Sequence, residues 1–343
     1  MTSVNLLSEE EIRSISRRFN FESFAEKRVV ITGASGLVCG YLTYALIRCT
    51  AFLGDAAPKV IAVSKSGKFP NIQALNEHKK LTFLRLDLEK DDLDFDYEIL
   101  IHGASAASPT ARLTREAILN VNCNIMRNLL KNPRLVEKTL FISTGEVYGS
   151  GAPAKVNENF VGKLDTSTYR SNYPEAKLSG ERLTLSLTDV GVDGKVARLF
   201  HSFGPGLRID DGRSFADFLW SASFGNPPIL KTSGTQIRSF MYLEDSIVGL
   251  LKVLDSEIST PINVGSEYEL SILQFASRVS EIAGLGGEIV FESNDTETVY
   301  SPNTIVLPSN ELLRSTGWRQ QVNVDLGIER TIKWIRNSDA TKE

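Results

Sequence analysis

Arg28-Val29-Val30-Ile31-Thr32-Gly33-Ala34-Ser35-Gly36-Leu37-Val38-Cys39-Gly40 is the stretch that decides the fold. Its first five residues, rich in β-branched side chains, read as a short strand buried on both faces. Gly33 and Gly36 follow at once, and residues 37–47 then read as a helix. Glycine allows a tight turn and a close approach to the backbone, and the start of a helix aims free N–H groups and a dipole at whatever lies there. A strand, a glycine turn and a helix in that order form a pyrophosphate cradle, the context a dinucleotide-binding fingerprint requires.

Outward from this unit the pattern repeats. Residues 59–64, 81–86, 98–102, 139–143 and 195–200 are similar apolar runs separated by helical stretches. Right-handed crossovers between them predict an α/β fold with a doubly wound parallel sheet. Beyond Phe200 the pattern breaks at Gly204-Pro205-Gly206, Asp210-Asp211-Gly212 and Asn226-Pro227-Pro228, which predicts a smaller C-terminal substrate-binding region. Residues 1–26 read as a helical extension: Ser8 is placed as an N-cap, Glu11 completes a capping box, and Ile12, Ile15 and Phe19 recur at helical spacing. The expected division is 1–26 as extension, 27–200 for the cofactor with a return around 236–262, and 201–235 with 263–337 for the substrate.

Composition excludes several classes. The 343 residues are 42% hydrophobic and 23% charged, the range of a globular protein able to bury a large core. A net charge of −4 gives no electrostatic reason for nucleic acid or an anionic membrane as partner. Three cysteines and three histidines lack metal-ligand spacing, so neither a metal nor a disulfide framework is expected. Residues 8–18 carry charges where a secretory leader has its apolar core, and the expected compartment is the cytoplasm.

Chemistry enters with Tyr173-Pro174-Glu175-Ala176-Lys177, a Y-x-x-x-K pair whose members share a helix face. A lysine ammonium beside the phenol is expected to lower its pKa and suit it to general-base work. Some thirty residues earlier, Ser143-Thr144-Gly145-Glu146-Val147-Tyr148-Gly149 ends a predicted strand. Glu146 lies two residues beyond Thr144 on a strand end, so both side chains can point to the same side.

Together these segments resemble the extended short-chain dehydrogenases/reductases, the NAD-dependent epimerase/dehydratase family, over roughly residues 27–337. The glycine loop is similar to that family's T-G-x-x-G-x-x-G turn, with Cys39 at the third glycine. The resemblance implies a Rossmann sheet, a bound nicotinamide cofactor and a nucleotide-diphosphate sugar as substrate, with a homodimer as the assembly. It implies that Tyr173 acts as base, assisted by Lys177 and Thr144, on a sugar 4-hydroxyl. Glu146, without an acid at Gly145, resembles the UDP-glucuronate decarboxylases and GDP-mannose dehydratases, and would serve at C5 of a 4-keto sugar. The expected activity is therefore a 4,6-dehydratase or decarboxylase. A 4-epimerase is the alternative, and a catalytically silent nucleotide-binding module the alternative of another class.

The remaining site residues follow from the same resemblance. Gly33, Ser35, Gly36, Leu37 and Val38 would hold the pyrophosphate, Asp87 and Leu88 the adenine. Ala104, Ser105 and Ala106 would lie along the cofactor, as would Asn122, while His102 is structural. Ser108, Arg213 and Gln236 are carried over to the substrate, His201 replaces the asparagine usual near the diphosphate, and Arg238 offers a guanidinium fork. No acid ends the second strand. Ser64 and Lys65 there admit a 2′-phosphate, so the cofactor is NAD(P), with NAD the family habit. Tyr300-Ser301-Pro302-Asn303 stands where the family has R-x-P-D.

Overall fold

The computed structural model describes residues 5–105, 114–292 and 305–339. Seven strands form one parallel sheet: β1 (Arg28–Thr32), β2 (Lys59–Ser64), β3 (Leu81–Arg85), β4 (Ile99–His102), β5 (Lys138–Thr144), β6 (Asp193–Leu199) and β7 (Ile262–Val264). Their spatial order is β7-β6-β5-β4-β1-β2-β3. The order reverses between β1 and β4, and in such sheets ligands bind at the carboxyl ends of the strands flanking that switch point. Thr32 of β1 lies level with Val63 of β2 and His102 of β4, so the three strand ends meet there.

Alternate residues of β1 enter two different cores, as the pleat of a strand buried on both faces dictates. Val29 and Ile31 pack with α2 (Leu37–Cys49) and, across the same face, with the later helix spanning Leu243–Leu254. Val30 points the other way, into a cluster with Ile125, Met126 and Leu129 of α3 (Arg115–Lys131). Beside α3 lies α4 (Asn172–Leu185), pressed onto β5. That approach is close: a Cβ on Gly180 would sit 2.3 Å from the Phe141 ring. Leu81, Ile99 and Asp193 bound their strands, within two residues of the boundaries read from sequence.

After β6 the chain builds a separate apolar core. Strands His201–Phe203 and Phe240–Tyr242 pair in parallel, with Phe240 opposite His201. Helices α5 (Ser214–Ser223), α6 (Leu243–Leu254), α7 (Ile272–Ala283), α8 (Glu311–Ser315) and α9 (Val324–Asp339) follow. Phe203, Phe215, Phe240 and Phe275 fill this second core, with the Phe240 and Phe275 rings stacked at 4.3 Å. Between them, α6 and β7 carry the chain back to the main sheet, β7 pairing with β6.

The N-terminal segment is part of the main core. Ser8 caps α1 (Glu9–Arg18) in a capping box with Glu11. Ile12, Ile15, Phe19, Phe21 and Phe24 all join the cluster that holds Val29 and Ile31; full burial of each contributes about 1.5–3 kcal/mol. The Glu11 carboxylate, itself buried, accepts hydrogen bonds from Tyr41 at 3.2 Å and Tyr242 at 2.6 Å. Arg18 bridges Glu244 at 3.1 Å and Asp245 at 2.5 Å on α6. Among the described residues no helix is long and apolar enough to cross a membrane, and no cluster of His, Cys, Asp or Glu is arranged to hold a metal.

Candidate active site

The glycine turn is shaped by its neighbours. Gly33 has φ +75°, and a Cβ there would lie 2.8 Å from the backbone N of Ala104. Any side chain at 33 is therefore excluded by both strain and space. Gly36 differs: it is the extended N-cap of α2, and a Cβ would meet only the Gly33 carbonyl, at 3.2 Å. Gly36 has no side chain with which to cap α2. Cys39, at the third glycine position, is accommodated by a glycine elsewhere, since a Cβ on Gly103 would sit 2.3 Å from its Sγ. Space lost on the helix is thus returned on the strand end.

His102 pins the turn. Its Nε2 lies 3.0 Å from the Val121 carbonyl and its Nδ1 2.7 Å from Thr32 Oγ1. A carbonyl only accepts, so Nε2 carries the proton and Nδ1 accepts from Thr32. Thr32 Oγ1 accepts in turn from the Ala104 N–H at 3.2 Å. Burial holds the imidazole neutral, its pKa pushed down to about 3. His102 therefore has a structural place, fixing the strand end that faces Gly33.

Several features of this cradle fit a dinucleotide. Gly36 opens a helix without putting a side chain over its start, and the buried Ser105 Oγ has no hydrogen-bond partner among the described residues. Asn122 is buried on α3, its Nδ2 donating to the Ile118 carbonyl at 2.8 Å while Oδ1 has no partner among the described residues. At the edge, Ser64 and Ser66 hydroxyls pair at 3.2 Å, and Lys65 bridges Asp87 at 3.1 Å and Glu89 at 3.0 Å. Leu88 is buried in the α3-side core. Ala106 and Ser108 lie outside the described residues, as does the 300–303 segment. Gly36→Val is expected to leave the melting transition close to the parent's while lowering NAD affinity at least tenfold in calorimetry. Unchanged affinity would remove Gly36 from the cradle.

Thr144, Glu146, Tyr173 and Lys177 come together where α4 meets the end of β5. Thr144 Oγ1 accepts from the Glu146 N–H at 3.2 Å, capping a short 3-10 turn, Gly145–Tyr148. The strand therefore ends at Thr144, and alternation along it does not place Glu146. Glu146 reaches the site from the turn, exposed to solvent, with its carboxylate still close enough to act on the Tyr173 phenol. The Thr144 hydroxyl hydrogen-bonds that phenol.

The electrostatics differ from the expected lysine effect. Burial, then the Glu146 carboxylate, pushes the Tyr173 phenol well above its ordinary value; Thr144 and Arg213 pull it down. Lys177 Nζ lies 5.9 Å from the Tyr173 ring centroid and donates to the Ile142 carbonyl at 2.8 Å. Its own pKa is pushed down to about 8 by burial. Thr144 and Arg213 thus lower the phenol, while Lys177 stands beside the ring with its ammonium anchored to β5.

The candidates for the substrate gather around Arg213, whose charge reaches both Tyr173 and His201. The partly buried His201 packs its ring edge-on to Phe215 at 6.1 Å. Burial, reinforced by Arg213 and Arg238, pushes His201 down to about 3, so the ring is neutral. Arg213 is gripped by Asp211 through Nε and, at 2.7 Å, Nη2, and lies 4.8 Å over the Phe215 ring. Arg238 donates to the Ile237 carbonyl at 2.8 Å. The backbone of Gln236 holds α7 by accepting from the Ile272 N–H at 3.0 Å, and its side chain is partly buried. Between Thr144 and Glu146, a Cβ on Gly145 would meet the Phe200 ring at 2.8 Å, so this wall has no room for a side chain.

A glycine cradle at the switch point, with Thr144, Tyr173 and Lys177 beside it, is an arrangement for oxidising and reducing a bound alcohol. Residues 29–265 match the NAD dependent epimerase/dehydratase family. The chain belongs to that family. Among its relatives, UDP-glucuronic acid decarboxylase 1 of Xenopus tropicalis is 29% identical over 313 residues, 90% of this chain and 72% of the relative. UDP-glucuronic acid 4-epimerase from Bacillus cereus, solved with UDP-glucuronic acid and NAD, superposes with a TM-score of 0.73 at 22% identity, covering 90% of this chain and 99% of that one. A Bacillus anthracis dTDP-glucose 4,6-dehydratase in complex with NAD gives 0.73 at 15% identity, covering 92% and 98%. These two likenesses are of fold.

One pair in this family member escaped the sequence reading: Glu181 of α4 and Arg198 of β6, ion-paired at 2.8 Å. The available signal was Glu181's place four residues beyond Lys177, on the same helix face.

Proposed function

We propose that this NAD-dependent enzyme decarboxylates a nucleotide-activated uronic acid through a 4-keto intermediate. The observation that carries the choice of decarboxylation is the Gly145 wall. Expelling a C6 hydroxyl, as a 4,6-dehydratase must, takes a proton donor beside it; position 145 offers none, since Phe200 fills the space where a side chain would start, and the task would fall to the exposed Glu146. A carboxylate at C6 needs no such acid, because a ketone at C4 accepts the electron pair of the breaking C5–C6 bond. Arg213 and Arg238 supply positive charge for a substrate that is anionic at its diphosphate and its carboxylate. The curated relatives named as UDP-glucuronic acid decarboxylases support the same substrate class.

In this reading Tyr173 removes the 4-hydroxyl proton, Thr144 hydrogen-bonds the same oxygen, and Lys177 fixes the helix face that presents the phenol. NAD, which Gly33, Gly36 and the start of α2 would hold, would supply the hydride acceptor for C4 and the source of its restoration. Carbon dioxide leaves from C5, and the electron pair left there takes a proton relayed by Glu146. NAD is favoured over NADP because Lys65 is already paired with Asp87 and Glu89, which leaves carboxylates rather than free cations near the expected ribose. Residues 27–200, with the return through α6, serve the cofactor, and 201–235 with 263–337 the substrate.

The test is incubation with UDP-glucuronic acid and its relatives bearing other nucleotides, with products read by mass. Loss of carbon dioxide is the expected result. The solvent exposure of Glu146 favours a second reading, simple 4-epimerisation of the same substrate. A product of unchanged mass with inverted C4 would establish that one instead.

A further inference from the structure

Three residues of α4 are held by three consecutive residues of β5. Tyr173 meets Thr144, Lys177 donates to the Ile142 carbonyl at 2.8 Å, and Glu181 accepts from Ser143 Oγ at 2.5 Å. Tyr173, Lys177 and Glu181 are spaced four apart and share one helix face. Gly180 lets that face lie directly on Phe141. The last member of the stripe is a carboxylate, 3% exposed, where an apolar residue would pack without desolvating a charge.

Its partner is equally committed. Arg198 donates from Nε at 3.1 Å to Glu181 Oε1 and from Nη2 at 2.8 Å to Oε2. Its Nη1 donates to the Tyr148 hydroxyl at 3.1 Å, and Tyr148 donates to Asn263 Oδ1 at 2.6 Å. Glu181 is thus fixed from β5 and β6 at once. Such buried ion pairs are often replaceable by apolar residues at no loss of stability, so stability alone does not explain this one.

We propose that Glu181 is a positioning residue of the catalytic site, held by Arg198 and Ser143 so that its charge keeps the Lys177 ammonium protonated beside Tyr173. The proposal rests on reading Tyr173 and Lys177 as the catalytic pair. The groups facing Lys177 are Cys39 of α2, His102 of β4, Cys123 of α3, the Phe141 ring of β5 at 4.8 Å, Tyr173 and Glu181. His102 is neutral, and burial raises both thiols, Cys39 to about 12. Among the described residues, Glu181 is therefore the full negative charge in the set. Burial has already brought Lys177 down to about 8; Cys39 and then the Glu181 carboxylate act against that fall, and with the Cys39 thiol held neutral by a pKa of about 12 the carboxylate is the one that does so at neutral pH. Removing it lowers the lysine further, into the range where the proton is lost at neutral pH.

The experiment titrates Lys177 by NMR of its ε-methylene, assigned by comparison with Lys177→Arg, and measures kcat against pH. Glu181→Gln leaves Arg198 buried and unpaired, so Glu181→Gln/Arg198→Gln, which removes both charges, is made alongside it, with Glu181→Asp as the charge-retaining variant. Expected are a parent midpoint well below that of an exposed lysine and a fall of about one unit in the double variant. Glu181→Asp should stay near the parent. The alkaline limb of kcat should move down with the midpoint while KM holds. A parent midpoint at the ordinary lysine value, an unmoved midpoint in the folded double variant, or a loss of kcat without movement of the limb each overturns the proposal. If Lys177 titrates as expected but no nucleotide uronic acid is turned over, the coupling stands and the substrate reading falls.

Discussion

Tyr173→Phe is expected to lower kcat by about two to four powers of ten, with KM for the nucleotide sugar nearly unchanged. The substitution keeps the ring, which is partly buried where α4 meets β5, and removes only the oxygen that takes the substrate proton. No other side chain described at this spot can replace it. Glu146 is on the exposed turn, and Lys177 is turned toward the Ile142 carbonyl. The phenol is well suited to be switched by its neighbours, since burial and Glu146 raise it while Thr144 and Arg213 lower it. Steady-state kinetics check the prediction. Turnover within a few-fold of the parent would make the Tyr173–Lys177 spacing accidental.

Glu146→Gln is expected to divide the reaction in two. The carboxylate raises the Tyr173 phenol, so its removal eases ionisation of the base, and the first oxidation should proceed at least as fast as in the parent. Later steps should suffer, because the amide cannot relay a proton from solvent to C5. Overall turnover should fall about a hundredfold or more. Single-turnover absorbance of the reduced nicotinamide should still rise, while deuterium from solvent fails to appear at C5 of any product. A variant that completes the reaction at the parent rate would return Glu146 to the role of a solvated surface carboxylate, and epimerisation would become the better account.

The ease of reading this site varied with the range of the interaction. The first strand, the glycine turn and the start of α2 were legible because burial on both faces and helix initiation are written in neighbouring residues. The Ser8–Glu11 capping box was legible for the same reason, its two partners being three residues apart. Glu146 was misplaced because alternation along a strand holds only while the strand lasts; Thr144 turned out to cap a 3-10 turn, and the side chain after it left the pleat. The hydrogen bond from Lys177 to Ile142 was not legible, because spacing on a helix says which residues share a face, and nothing about which strand carbonyl captures the longer side chain.

What the sequence determined by itself was the parallel α/β sheet, the cofactor-type turn at its first strand, and the grouping of Thr144, Tyr173 and Lys177. The first two rest on periodicity and on motifs a few residues long, the grouping on the resemblance to the family. Only the tertiary structure showed that Gly103 makes room for Cys39, that Phe200 closes the wall behind Gly145, and that Lys65 is claimed by Asp87 and Glu89. It alone joined Glu181 to Arg198 and brought Glu11 of the N-terminal helix against Tyr242. Each of these pairs links residues from different elements, brought together only when strands align and helices dock, so no local pattern in either partner records the other.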